Sequence, residues 1–225
     1  LTEASFSWWL FGKIILCMVF ARNAAMGFNR YADRHIDAKN PRTANRDIPA
    51  GNIRERSALA FVSLNALLFV VTTYFINPLT FYLSPIALLV ILGYSITKKF
   101  TALCHLILGL GLSLAPIGAY LSVTGEFALI PVLFSFVVLF WVSGFDIIYA
   151  LQDEAFDKKE SLHSIPARLG KKRALRLSSV LHFLSAILVF TIGLYLNTHI
   201  LYWFGAILFA GLLIYQHSLV SPFDL

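Results

Sequence analysis

Residues Leu129–Leu151 read LIPVLFSFVVLFWVSGFDIIYAL. Nothing is charged between Leu129 and Phe145, and a single carboxylate, Asp146, stands near the end. A helix needs about 20 apolar residues to cross the hydrocarbon core of a bilayer. This run has that length and predicts a membrane-spanning helix. Six further runs qualify or come close: Phe6–Phe28, Ala58–Ile76, Leu79–Thr97, Ala102–Val123, Ala174–Leu194 and Ile200–His217. Pro85 is expected to break the third run in chain order near its start. A proline there is tolerated when neighbours satisfy the carbonyl that it frees.

The composition agrees with this reading. Of 225 residues, 58% are hydrophobic and 13% charged, with a mean hydropathy of +0.75. Soluble domains carry about 25% charged residues. A secreted mini-protein, a disordered tail and a DNA-binding domain are therefore disfavoured. The fold class predicted is all-α, a polytopic transmembrane helix bundle forming a single membrane domain over residues 1–225. Cys17 and Cys104 lie in apolar runs without CxxC spacing, so neither a disulfide nor a zinc framework is implied. The chain opens LTEASFSWWLF, with neither an initiating Met nor a cleavable signal peptide. That opening predicts a truncated N-terminus.

The net charge is +6, and its placement says more than its size. Of the 18 Lys and Arg, all but Lys13 and Arg22 fall in three connections. These follow the first run (Arg30 to Arg56), the third (Lys98-Lys99) and the fifth (Lys158 to Arg176). The alternate connections, near Asn77-Pro78, Gly125-Glu126 and Asn197–His199, hold no basic residue. The positive-inside rule places the three basic connections in the cytoplasm, with the C-terminus inside and the N-terminus outside. The basic residues answer to the bilayer and to an anionic substrate, and no nucleic-acid partner is expected. Trp8, Trp9 and Trp203 fit an aromatic belt at the outer interface.

Most of the acidic residues gather in or beside the two long basic connections. Glu55, Glu154 and Glu160 read as solvated charge. Asn29, Asp33 and Asp37 stand at i, i+4 and i+8; if the first helix continues past the membrane boundary, all three share one face. Tyr149, Asp153 and Asp157 repeat that spacing, and Asp146 precedes Asp153 by two turns. Like charges at i, i+4 destabilise a helix, and a divalent cation among them reverses the sign. All-oxygen ligands suit a hard cation such as Mg²⁺, which typically takes one or two carboxylates plus substrate phosphates. The neighbouring Arg and Lys suit phosphate oxygens. Acidic columns, basic loops and a membrane bundle together point to a substrate with a pyrophosphate head and an apolar tail, such as a polyprenyl diphosphate.

NRYADRHID at Asn29–Asp37 then resembles the N-x-x-x-D-x-x-x-D motif of the UbiA-type intramembrane prenyltransferases. KNPRTANRDIPAG follows it, close to the family's RT-x-x-R-P-x-P-x-G, with Asp47 where the family usually has Pro. DIIYALQDEAFD at Asp146–Asp157 is similar to the second, Asp-rich motif, and SLHSIPARLG follows. Tyr94-Ser-Ile-Thr-Lys98 looks like the family's Y-x-x-x-K. The resemblance covers the whole chain, and the IPARLG ending is most like the 4-hydroxybenzoate polyprenyltransferase branch. It implies nine helices where seven are visible, hence a chain lacking its first and last.

The resemblance implies a transferase that moves a polyprenyl group from its diphosphate to an aromatic acid acceptor in quinone biosynthesis. Asn29, Asp33, Asp37, Asp153 and Asp157 would hold Mg²⁺, and Asp33, Asp37, Asp146, Asp153 and Asp157 would be catalytic. Arg42, Arg46 and Lys98 would meet diphosphate oxygens, and Tyr94 and Tyr149 would also bind substrate. The active site would face the cytoplasm from the inner membrane. Arg22, a cation inside a predicted span, is a functional candidate. It is expected to be buried and to pair with either the acceptor carboxylate or a motif Asp. His105 is read chiefly as packing, with pocket lining as the lesser alternative, and His182 and His217 as structural.

Other readings fare worse. A menaquinone-pathway naphthoate remains open as the acceptor. CDP-alcohol phosphotransferases also use Asp columns but require D-G-x-x-A-R, which is absent. A transporter relay would put carboxylates at mid-membrane, whereas here they cluster at one face.

Overall fold

The computed structural model describes residues 6–220 and is all-helical among them. Seven helices are long and apolar enough to span a bilayer, as the hydropathy predicts. They are α1 (Trp8–Ala32), α3 (Glu55–Tyr74), α4 (Pro78–Thr97), α5 (Cys104–Thr124), α6 (Leu129–Ala150), α9 (Lys171–Tyr195) and α10 (Ile200–Ser218). Short helices α2 (Arg34–Asp37), α7 (Glu154–Lys159) and α8 (Ile165–Leu169) lie in the two long basic connections. Trp8 and Trp9 are 77% and 78% exposed, as side chains bound for an interface must be.

Pro85 does not break its helix, because α4 runs through it. The proline has no N–H for the Phe81 carbonyl one turn back, but the Ser84 hydroxyl donates to that oxygen at 2.8 Å. Asn77 starts the helix by accepting from the Thr80 amide at 2.9 Å.

The chain divides into two compact units. The first takes residues up to Ile96 together with Gly118–Phe127; the second takes Thr97–Ile117 and everything from Ala128. In the first, α1 packs on α3. A Cβ on Gly27 would meet Val62 Cγ2 at 2.9 Å, so glycine is what lets the helices approach. Beside it Asn23 Nδ2 donates to Asn65 Oδ1 at 3.2 Å. Small residues and interhelical amide bonds hold helices together where lipid tails offer no hydrophobic drive. In the second unit, α6 packs on α9 through the same means. Ser178 and Ser185 hydroxyls donate to the Gly144 and Val137 carbonyls at 2.7 and 2.9 Å. Gly144 leaves room for His182, whose ring a Cβ would meet at 2.4 Å. His182 contacts His217 at 2.9 Å and the Trp141 carbonyl at 3.1 Å.

Candidate active site

The first motif sits where α1 ends. The sequence places Asn29, Asp33 and Asp37 on one continuous helix face, and the structure alters that. α1 stops at Ala32, and Asp33 has φ −95°, ψ 0°, which turns the chain into α2. Asn29 Nδ2 donates to Asp33 Oδ2 at 3.1 Å, and Asp33 is half-buried. Asp37 is buried, and Arg46 Nη1 donates to both its oxygens at 2.7 Å. The loop that presents Arg46 is built by its own polar residues. Asn40 Oδ1 accepts from the Arg42 amide at 3.0 Å, and the Thr43 hydroxyl donates to the Asp37 carbonyl at 3.2 Å. Such short Asx-type turns let Asn and Thr fix a loop without regular structure. The Arg42 side chain is exposed.

The second motif, in the other unit, breaks in the same manner. α6 ends at Ala150, a 3₁₀ turn covers Leu151–Asp153, and Asp153 has φ −99°, ψ 3° before α7 begins. Asp153 is buried, and Asp157 is fully buried. Lys98 Nζ lies 2.7 Å from Asp157 Oδ1. That approach makes an ion pair outside directed hydrogen-bond geometry, so both Asp157 oxygens remain without a hydrogen-bond partner among the described residues. The Lys98 carbonyl accepts from the His163 amide at 2.8 Å, which ties the end of α4 to the segment before α8. Tyr94 is half-buried and Tyr149 exposed.

Asp146 belongs to a contact that sequence reasoning missed. His105, 3% exposed, meets Asp146 Oδ2 through Nδ1 at 2.6 Å. Its Nε2 lies 3.2 Å from the Ile165 amide, which can only donate. Nε2 is thus the acceptor, which leaves Nδ1 carrying the proton toward Asp146. The imidazole therefore orients Asp146 and joins it to the Ser164-Ile165 start of α8. No local spacing signals a pair 41 residues apart.

Arg22 departs from expectation. Its side chain is exposed on α1, and no described residue is recorded as its partner. It is neither buried within the protein nor paired with a motif Asp among the described residues. Lys13, nearer the outer end, donates to the Phe75 carbonyl.

The donor chemistry fits a hard divalent cation. The candidate ligands are Asp and Asn oxygens, and both Asp157 oxygens are buried acceptors without a hydrogen bond, with the Lys98 ammonium as their charge partner. Among the described residues, no three His, Cys, Asp or Glu side chains gather closely enough to hold an ion by themselves. Mg²⁺ does not require that, since substrate phosphates supply the remaining oxygens.

Seven apolar spans with acid-rich breaks at helix ends define a polytopic membrane protein. The profile of the UbiA prenyltransferase family matches residues 2–224, and the chain belongs to that family, as a transferase of prenyl groups. A 4-hydroxybenzoate octaprenyltransferase of Photobacterium profundum is 31% identical over 207 residues, 92% of this chain and 72% of that one. The enzyme of the same description from Tolumonas auensis is 33% identical, over 88% of this chain and 69% of its own length. Among solved structures, an apo UbiA homolog from Aeropyrum pernix K1 superposes with TM-score 0.89 at 30% identity, covering 95% of this chain and 80% of that one. A UbiA homolog from Archaeoglobus fulgidus, bound to DMAPP and Mg²⁺, shares the fold with TM-score 0.75 at 23% identity, over 96% of this chain and 77% of its own.

Proposed function

We propose that this prenyltransferase moves a polyprenyl group from its diphosphate to a 4-hydroxybenzoate-like aromatic acid in quinone biosynthesis, at the cytoplasmic face of the inner membrane. The observation that carries this reading is the repeated pairing of a motif carboxylate with a basic residue, Asp37 with Arg46 and Asp157 with Lys98. Such a pair can exchange partners. With a diphosphate and a divalent cation bound, the carboxylates would hold the cation while Arg46, Lys98 and Arg42 would hold phosphate oxygens. Each charged side chain would keep an oppositely charged partner in the exchange, so little desolvated charge would be left uncompensated.

Asn29, Asp33, Asp37, Asp153 and Asp157 are the residues that would hold Mg²⁺. Bound there, Mg²⁺ would supply Lewis-acid neutralisation of the leaving diphosphate. The allylic C–O bond then breaks with its electron pair leaving on the diphosphate. The ring of the acceptor attacks the allylic cation, and loss of the ring proton restores aromaticity. Asp146, held by His105, and the other motif carboxylates provide negative charge that favours the cation. Tyr94 and Tyr149 contribute to substrate binding. The apolar spans exclude water, which would otherwise capture the cation as prenyl alcohol. The relatives from Photobacterium and Tolumonas, described as 4-hydroxybenzoate octaprenyltransferases, favour that acceptor over a naphthoate.

The test is incubation of membranes carrying the protein with labelled polyprenyl diphosphate and a panel of aromatic acids. Mg²⁺-dependent labelling of 4-hydroxybenzoate is expected. Labelling of a dihydroxynaphthoate alone would select the alternative acceptor, and labelling of no aromatic acid would overturn the reading. Orientation is tested separately by placing cysteines at Lys39 and Lys159, both exposed. A membrane-impermeant thiol reagent should reach neither from outside intact cells; labelling of either would reverse the topology.

A further inference from the structure

Glu55 lies outside both acidic motifs and opens α3. Its Oε1 is 2.9 Å from Nε of Arg34, the first residue of α2. The contact is an ion pair outside directed hydrogen-bond geometry. Arg34 has two further contacts, both with α1. Its Nη1 donates to the Tyr31 carbonyl at 2.8 Å, and its guanidinium lies over the Tyr31 ring, 4.2 Å from the centroid. One side chain therefore joins the end of α1, the start of α2 and the start of α3. A guanidinium suits this position, because its planar fork carries several donors and its face stacks on an aromatic ring. The Arg34 side chain is 20% exposed and that of Glu55 51%.

Arg34 and Glu55 bracket the segment that carries Asp37, Arg42 and Arg46. Between them the chain bonds to itself: the Ala50 amide donates to the Arg46 carbonyl at 2.9 Å, and the Ile53 amide to the Asp47 carbonyl at 3.1 Å. We infer that the Arg34–Glu55 pair is a fixed latch across the ends of this loop, and that Glu55 is a positioning residue for diphosphate binding. The inference rests on the diphosphate reading above and adds a residue to it. In that reading Arg46 would leave Asp37 for phosphate oxygens, so α2 would lose one hold on the loop just when Asp37 must be in place. The latch takes no part in that exchange, and it keeps the loop ends together while the pair inside changes partners. Without it the ligand would have to order the loop, and the cost of ordering is subtracted from affinity. Steps after binding do not draw on the latch.

The experiment measures Mg²⁺-dependent binding of geranyl diphosphate, and turnover, for wild type, Glu55→Gln, Arg34→Gln and the double variant. Partly exposed ion pairs are worth little, so Glu55→Gln should raise the Kd for geranyl diphosphate about two- to fivefold. The KM for the prenyl diphosphate should rise in the same ratio, with kcat near wild type. The direction is informative, since removing a carboxylate would by charge alone strengthen the binding of an anion. In the Arg34→Gln background Glu55→Gln should add nothing, because its partner is already gone. Unchanged or tighter binding by Glu55→Gln, a fall in kcat alone, or losses that add in the double variant would each overturn the latch. If Arg34→Gln does not fold, Glu55→Lys takes its place. It sets two cations together and should weaken binding more than Glu55→Gln does; an equal or smaller effect would overturn the latch. Wild type that binds no geranyl diphosphate would instead remove the diphosphate reading, and the latch with it.

Discussion

The two acidic motifs look like copies of one device, but they are assembled differently. Each turns the chain at its middle carboxylate with nearly the same backbone, φ −95°, ψ 0° at Asp33 and φ −99°, ψ 3° at Asp153. Each then holds its last carboxylate against a cation. In the first motif the cation comes from nine residues further along, on a loop that folds on itself. In the second, Lys98 reaches Asp157 from the end of α4, while His105 of α5 fixes Asp146. The first site is thus mostly local, and the second depends on tertiary packing. Burial follows the same division: the side chain of Asp157 is 0% exposed and that of Asp37 is 8%.

The difference predicts unequal costs for the same operation. Lys98→Met strands a fully buried carboxylate, and breaking a buried pair in this way costs about 3–5 kcal/mol. Its melting temperature in detergent should fall markedly and turnover should be lost, whereas Lys98→Met with Asp157→Asn should regain most of the stability. A single variant that melts like wild type would show that the two motifs are not distinguished by burial.

Next in size are the middle carboxylates. Asp33→Ala and Asp153→Ala should each lower Mg²⁺-dependent turnover about a hundredfold or more, as loss of several kcal/mol of charge stabilisation requires, with expression unchanged. Near-normal turnover in both would refute their role as metal ligands. Full loss in one and little in the other would show that the shared backbone turn does not mean shared chemistry.

The smallest effect belongs to Arg46→Gln. Arg46 itself is partly exposed and Asp37, though buried, is less so than Asp157, so a stability loss of roughly 1–2 kcal/mol is expected. Turnover should suffer through a raised KM for the prenyl diphosphate. A melting shift as large as that of Lys98→Met would erase the contrast between a local and a tertiary site.

Much of this architecture could be read from the chain. The hydropathy of Leu129–Leu151 sets α6 to within one residue of its end, and that of Leu79–Thr97 sets α4, although the break expected at Pro85 does not occur. The motif positions were legible because spacing along a helix is a one-dimensional signal. The turn at Asp33 was not, since a single backbone dihedral leaves hydropathy and i, i+4 spacing unchanged. Partnerships were hidden for a different reason. Lys98 and Asp157, or His105 and Asp146, are far apart in the chain, and only packing brings them together.

The turns at Asp33 and Asp153 have one more consequence. Both lie where a long membrane helix, α1 or α6, comes to its C-terminal end. The aligned peptide dipoles leave about half a negative charge at such an end. Each acidic motif therefore gathers carboxylates where the backbone itself already disfavours anions, a cost that the paired Arg46 and Lys98 offset. A cation entering either region relieves repulsion among side chains and between side chains and helix at once. A divalent ion that bound the folded chain there would link ligand binding to fold stability and act as a structural clamp.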